Sequence, residues 1–121
     1  MEISHHKGVN NFRKTGCFLF NIINKSYAKK MLVMLPNQKH PLHFHKRKEE
    51  SFHVISGSLI SNLNGKKKTL KPGQILHISK NSWHEFKAGN EGCIFDEIST
   101  TSYSDDSFYK DKKIKKLILD N

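Results

Sequence analysis

The sequence predicts an all-β domain, a sandwich or barrel of short antiparallel strands. Three observations carry that expectation. Apolar runs only a few residues long recur along the chain, and turn residues interrupt them about every eight to twelve positions. No stretch holds the 3.6-residue apolar period of a helix before 112–119 (KKIKKLIL). At 121 residues the chain is expected to be one domain around a single modest core.

The elements follow in order. Met31 to Leu35 (MLVML) is a continuous apolar run closed by Pro36-Asn37. Phe52 to Ile55 is apolar and ends at Ser56-Gly57. Leu59 to Leu63 alternates and meets Asn64-Gly65, the strongest hairpin signal in the chain, because both residues tolerate positive φ. Thr69-Leu70 leads to a turn at Pro72-Gly73, and Gln74 to Ile78 reads as the next strand. Asn81-Ser82 turns into Trp83 to Phe86, and residues 88–92 turn into Cys93 to Ser99. The basic segment 112–119 is a candidate short C-terminal helix or, equally, an extended tail. Residues 1–26 read as an N-terminal strand or arm and 27–100 as the core. Residues 101–121 read as a tail packing on the barrel or on a second copy.

Composition narrows the function classes. No apolar run approaches the roughly 20 residues of a membrane span, and the N-terminus lacks a signal peptide's apolar centre, so a cytoplasmic protein without a membrane partner is expected. Cys17 and Cys93 are too few for a disulfide framework and read as free thiols. Lys+Arg 21 against Asp+Glu 11 gives a net charge of +10. The cations are dispersed in short groups such as Lys46-Arg47-Lys48, without a helix-turn-helix or zinc-finger pattern, so nucleic acid is not expected as a partner. Such a field favours anionic small substrates, for example phosphorylated or acidic sugars.

The chemistry concentrates in PLHFHKRKEE, residues 41–50. On a strand, His43 and His45 share one face, because positions i and i+2 point the same way. With residues 46–49 as a connecting loop, Glu50 opens the neighbouring strand and can turn back toward both imidazoles. His84 follows the Asn81-Ser82 turn and offers a third. Three histidines and one carboxylate leave open positions on a divalent first-row ion, the arrangement of a reactive site. A lone H-x-H is commonplace in a chain with eight histidines. Here it extends to H-x-H-x4-E-x6-G, ending at Gly57, with Pro72-Gly73 and then His84 downstream. From about Tyr27 to Ser99 this resembles the two-motif signature of the cupin superfamily. The resemblance implies a double-stranded β-helix, or jelly-roll barrel, with a metal held by His43, His45, Glu50 and His84. Gln74 and Ser79 depart from the usual second motif, which commonly carries an acidic residue and a proline.

A narrower resemblance rests on the flanks: YAKKMLVMLPNQKHPLHFHKRKEE upstream, with Lys30 and Gln38, and EIST followed by an Asp-rich, aromatic stretch downstream. These look like the D-lyxose isomerase-type sugar isomerases, and like small cupins associated with nonulosonic-acid (sialic-acid-like) biosynthesis. That resemblance implies a metal-dependent isomerase or epimerase of a small sugar or anionic sugar derivative. Glu97 would be the proton-transfer base, and Lys30 would hold the substrate oxygen. Manganese is the first expectation for the ion, with iron, zinc and nickel as alternatives. A non-catalytic sugar-binding or regulatory cupin and a metal-dependent oxygenase stand as rival readings. A homodimer is expected, since small cupins bury edge strands against a second copy. Among the other groups, His77 reads as near the site or on the opposite sheet face. His5, His6, His40 and His53 read as surface or packing residues, Glu49 and Asp96 as outward neighbours, and Asp105-Asp106 as a solvated turn.

Overall fold

The computed structural model describes residues 2–7, 11–111 and 115–117, with side chains for 11–111. Every regular element among them is a strand: β1 (Glu2–Lys7), β2 (Cys17–Asn24), β3 (Tyr27–Met34), β4 (Lys39–Phe44) and β5 (Glu50–Leu63), then β6 (Lys66–Leu70), β7 (Ile75–Ile78), β8 (His84–Thr100), β9 (Phe108–Tyr109) and β10 (Lys115–Leu117). The strands pair in the order β10-β1-β2-β3-β8-β4-β9, with β5 joining β8, β6 and β7. All these pairings are antiparallel. The candidate C-terminal helix is corrected in part: Lys115–Leu117 is extended and pairs with β1, His5 opposite Leu117. The rest of 112–119 lies outside the described residues.

Turn chemistry sets where the strands stop. Asn37, Asn64 and Asn81 all take left-handed φ of 50–62°, and Gly65 and Gly73 follow at 85° and 88°. These are turn positions legible in the sequence, whereas the breaks expected at Ser56-Gly57 and at 88–92 are corrected: both fall inside the continuous strands β5 and β8. Between the turns the alternation of each strand divides inside from outside. On β3, Ala28, Lys30, Leu32 and Met34 are buried while Tyr27 is exposed. The core packs Leu19, Leu32, Val54 and Leu59 with an aromatic group of Phe52, Phe86 and Phe95, whose ring centroids lie 5.0–5.5 Å apart. Cys17 and Cys93 are buried free thiols in that core.

Long strands β5 and β8 run alongside each other and bend together. Registers shift between Val54 and Ser56 and again between Gly57 and Leu59. At the bend Gly57 has φ of 77°, and a Cβ there would stand 2.1 Å from the Gly92 carbonyl oxygen. Only hydrogen fits in that space, which is the physical reason for a glycine at this motif position. Gly57→Ala therefore combines a left-handed strain with a backbone clash. It is expected to lower stability by about 2 kcal/mol or more, measured as an earlier denaturant midpoint. An unchanged midpoint would show that β5 and β8 can separate at no cost.

Candidate functional site

Strand ends converge at one mouth of the barrel. His43 lies on β4 directly opposite His84, the first residue of β8, and His45 follows just past β4. The three side chains are buried, with ring centroids 4.1 Å (His43–His84), 4.8 Å (His43–His45) and 5.3 Å (His45–His84) apart. Each ring has its Nδ1 within 2.7–2.9 Å of a backbone carbonyl: Pro41 for His43, Asp106 for His45 and Ser82 for His84. A carbonyl only accepts, so the proton sits on Nδ1 and the Nε2 lone pairs are left to face one another. One ligand atom from each ring falls within 4.8 Å of the other two.

Electrostatics agree with that arrangement. Burial, with the neighbouring His84, His40 and His45, holds the His43 pKa well below its ordinary 6.5. Burial, then the Lys48 charge, lowers His45 to about 4, against opposing pulls from Glu50 and the Asp106 carbonyl. Both rings are neutral at pH 7, the form that binds metal. Glu50, first residue of β5, sets Oε1 2.9 Å from His84 Nε2 and 3.7 Å from His45 Nε2. Neither carboxylate oxygen nor His84 Nε2 has a hydrogen bond of good geometry despite full burial. Lone pairs aimed at one point, next to a buried carboxylate oxygen, Glu50 Oε1, that faces them, are the donor set a divalent cation satisfies. The residues present fit a metal.

Beside this cluster lies a group of charges that the strand pattern concealed. Lys48, in one of the short basic groups read as dispersed along the chain, is buried. Its Nζ stands 3.0 Å from Glu50 Oε2 and 3.1 Å from Glu97 Oε2. Burial alone would strip its proton, but the two carboxylates outweigh that and raise its pKa. A signal was available: Lys48 precedes Glu50 by two, the spacing that puts residues on one face. Lys30 and Glu97 are both buried and are direct Cα partners across β3 and β8. Lys30 Nζ donates to Ser102 Oγ at 2.9 Å. Cys93, Phe95, Glu97 and Ser99 all point inward, as their alternation predicts.

The segment 101–109 crosses the mouth as a strap. Asp106, expected in a solvated turn, is instead buried: its carboxylate accepts the Lys46 and Arg47 backbone N–H groups at 3.0 and 3.2 Å, while its carbonyl fixes His45. Asp105 does remain in solvent, paired with Arg47. Arg47 also stacks over Tyr103 at 3.8 Å, and Lys46 lies 4.5 Å over Phe108. Under the strap is a cavity of about 40 Å³ lined by Lys30, His40, Lys48, Glu97, Tyr103 and Tyr109, among others.

The remaining candidates fall elsewhere. His40 is a packing residue, stacked on Phe86 at 4.6 Å and tilted against His43 at the same distance. Gln38 is a structural clamp, accepting from Leu35 N–H and donating to the Phe12 carbonyl. His77 is exposed on the outer side, 2.6 Å from Ser51 Oγ. His53 is half-buried, and Glu49 is exposed. Asp96 points outward as expected, yet it is buried among its neighbours. His5 and His6 sit on β1, whose side chains are outside the described set.

Fold and donor set together define a class. Residues 30–95 match the cupin domain, and the chain belongs to that family. Among curated proteins it is 28% identical, over 91% of its length and 76% of the relative's, to the D-lyxose/D-mannose isomerase of Thermosediminibacter oceani. It is 29% identical to a D-lyxose ketol-isomerase of Thermofilum sp., over 82% of this chain and 70% of that one. Among solved structures, the L-ribose isomerase of Cellulomonas parahominis with L-psicose superposes with a TM-score of 0.78 at 13% identity, over 84% of this chain and 73% of that one. A cupin 2 domain-containing protein of Halorhodospira halophila gives 0.72 at 15% identity, over 91% and 83%. At these identities the structural matches speak to fold.

Two expectations follow for the metal. Protein dialysed against a divalent transition metal should retain about one equivalent by elemental analysis, and the His45→Ala, His84→Ala double variant none; full retention in the double variant would remove these histidines as ligands. In metal-free protein, His45 takes its proton near pH 6.5 when unfolded but only near 4 when folded. The unfolded chain therefore binds more protons across that window, and stability falls as pH drops from 6.5 toward 4. Urea midpoints at pH 7 and pH 5 should differ in that sense.

Proposed function

We propose that this protein is a metal-dependent aldose–ketose isomerase or epimerase acting on a small sugar or sugar derivative. The observation that carries the reading is the buried pair Lys30 and Glu97, opening on the same cavity as His43, His45 and Glu50. Similarity to proteins named D-lyxose isomerases supports it. His43, His45, His84 and Glu50 hold the ion, with manganese first and iron, zinc or nickel as alternatives. Once bound, a divalent cation supplies Lewis acidity that polarises the substrate's carbonyl and adjacent hydroxyl.

The chain's own groups then move the proton. Glu97 takes the hydrogen from the carbon beside the carbonyl, the C–H electron pair becomes the new C=C bond of an enediolate, and the carbonyl oxygen gains the charge. Lys30 stabilises that oxygen through its ammonium. Glu97 returns the proton to the former carbonyl carbon while the proton of the adjacent hydroxyl passes to the former carbonyl oxygen, so the hydroxyl-bearing carbon becomes the new carbonyl and there is no net change of redox state. Lys48 orients the Glu97 carboxylate through its 3.1 Å contact. A 40 Å³ cavity has room for roughly three waters rather than a pentose. Admission of a sugar requires the strap to lift, so Ser102, Tyr103, Ser107 and Tyr109 form the movable hydroxyl-rich wall of the site.

Glu97→Gln keeps shape and removes the base. General acid–base groups are worth about 10² to 10⁴ in rate, so turnover and exchange of the substrate C2 proton with deuterated water should fall by that order. Metal content should hold. Equal exchange in wild type and variant would take Glu97 out of the mechanism. Absence of exchange for every sugar tried would select a binding protein, and turnover strictly requiring oxygen and iron would select an oxygenase.

A further inference from the structure

Two of the three imidazoles are oriented from their own stretch of chain, and the third is not. The carbonyls at His43 and His84 Nδ1 belong to Pro41 and Ser82, each two residues earlier. The carbonyl at His45 Nδ1 belongs to Asp106, 61 positions later, on the strap. His45 also lies past the end of β4, outside any strand ladder. The Asp106 carboxylate meanwhile accepts the backbone N–H groups of Lys46 and Arg47. One buried residue thus fixes both the ring and the loop that carries it. The strap is anchored on either side of that residue. Ser102 exchanges two hydrogen bonds of 2.9 Å with the Asn24 side chain, and β9 pairs with β4. Between these anchors, Arg47 meets Tyr103 and Asp105 from the exposed side. Opening of the cavity is therefore left to residues 103–107, and their movement draws the Asp106 carbonyl away from His45.

We infer that Asp106 is a positioning residue that makes one metal ligand conditional on the strap. With the strap down, its carbonyl holds His45 as the Nδ1–H tautomer, and Nε2 faces Glu50 and the other rings. With residues 103–107 lifted, the His45 ring is free to turn and to exchange tautomers. His43, His84 and Glu50 then remain as the fixed donors, held by Pro41, Ser82 and β5. An ion that gains His45 only in the closed state binds that state more tightly. By linkage, binding of the ion draws the strap shut to the same degree. The inference rests on the reading of this cluster as a metal centre. It adds that admission of substrate and retention of the ion are coupled through one residue of the strap.

Nitrogen-15 shifts of the imidazoles in metal-free protein at neutral pH read the tautomers directly. Wild-type His43, His45 and His84 should all be Nδ1–H. Asp106→Ala releases the loop N–H groups and with them the strap, so His45 should become a mixture of tautomers while His43 and His84 keep theirs. Zinc affinity, measured by chelator competition, should fall about 10- to 100-fold, as for loss of a partner behind a ligating histidine, with the stoichiometry kept. Asp106→Asn retains one acceptor for the loop and should restore part of both properties; it carries the test alone where the alanine variant does not fold. Asp105→Ala, on the exposed side of the strap, should change neither. A single Nδ1–H tautomer at His45 in both Asp106 variants, or unchanged zinc affinity in both, overturns the inference. A wild type that fails to bind zinc while its His45 tautomer responds to Asp106 overturns instead the metal reading beneath it.

Discussion

Charge balance inside the barrel is the constraint on which the site depends. An ionised group moved alone from water into such an interior costs several kcal/mol. Here the buried ammonium of Lys48 stands between two buried carboxylates, Glu50 and Glu97, each within 3.1 Å. Glu50 is shared: one oxygen faces the ammonium and the other faces His84 and His45. The histidine cluster and the Lys48–Glu97 pair are therefore one electrostatic unit, coupled through a single carboxylate. Removing any member leaves its partners buried without compensation, a larger effect than loss of one contact.

The aromatic core supports this unit from below. Phe52 lies against His84 and Phe86, and His40 stacks on Phe86 while touching His43. Burial keeps His43 and His45 from taking a proton, and the backbone carbonyls at Nδ1 decide which nitrogen stays free. Rigidity in the packed floor thus becomes orientation of the three Nε2 atoms.

The roof is held differently. The strap is tied by Asp106 to the Lys46–Arg47 backbone and by ring contacts of Arg47 and Lys46 in partly exposed positions. The ring contacts are individually modest, about 0.5–1 kcal/mol at exposed sites, and the end of the strap is further held by pairing of β9 with β4. Asp106 is the link between the two, because its carbonyl also holds His45.

Much of this was legible in the sequence because strand physics is periodic and local. The two-residue repeat put His43 with His45 and Phe95 with Glu97, and Asn37, Asn64-Gly65, Gly73 and Asn81 marked turns that do adopt positive φ, while the turn read at 88–92 is part of β8. Gly57 belongs to a recognisable motif, and its backbone contact with Gly92 explains it. What stayed hidden depends on pairings between residues distant in the chain. Lys48 looks like its neighbours Lys46 and Arg47 until β5 and β8 bring Glu97 beside it. Asp106 looks like Asp105 until the strap folds over a loop some sixty positions earlier. Lys115–Leu117 has a helix-compatible pattern, but β1 supplies a strand to pair with. Local sequence determined which face each residue occupies. Tertiary structure decided which charges are buried together, because burial and compensation belong to a pair of surfaces and neither segment carries them alone.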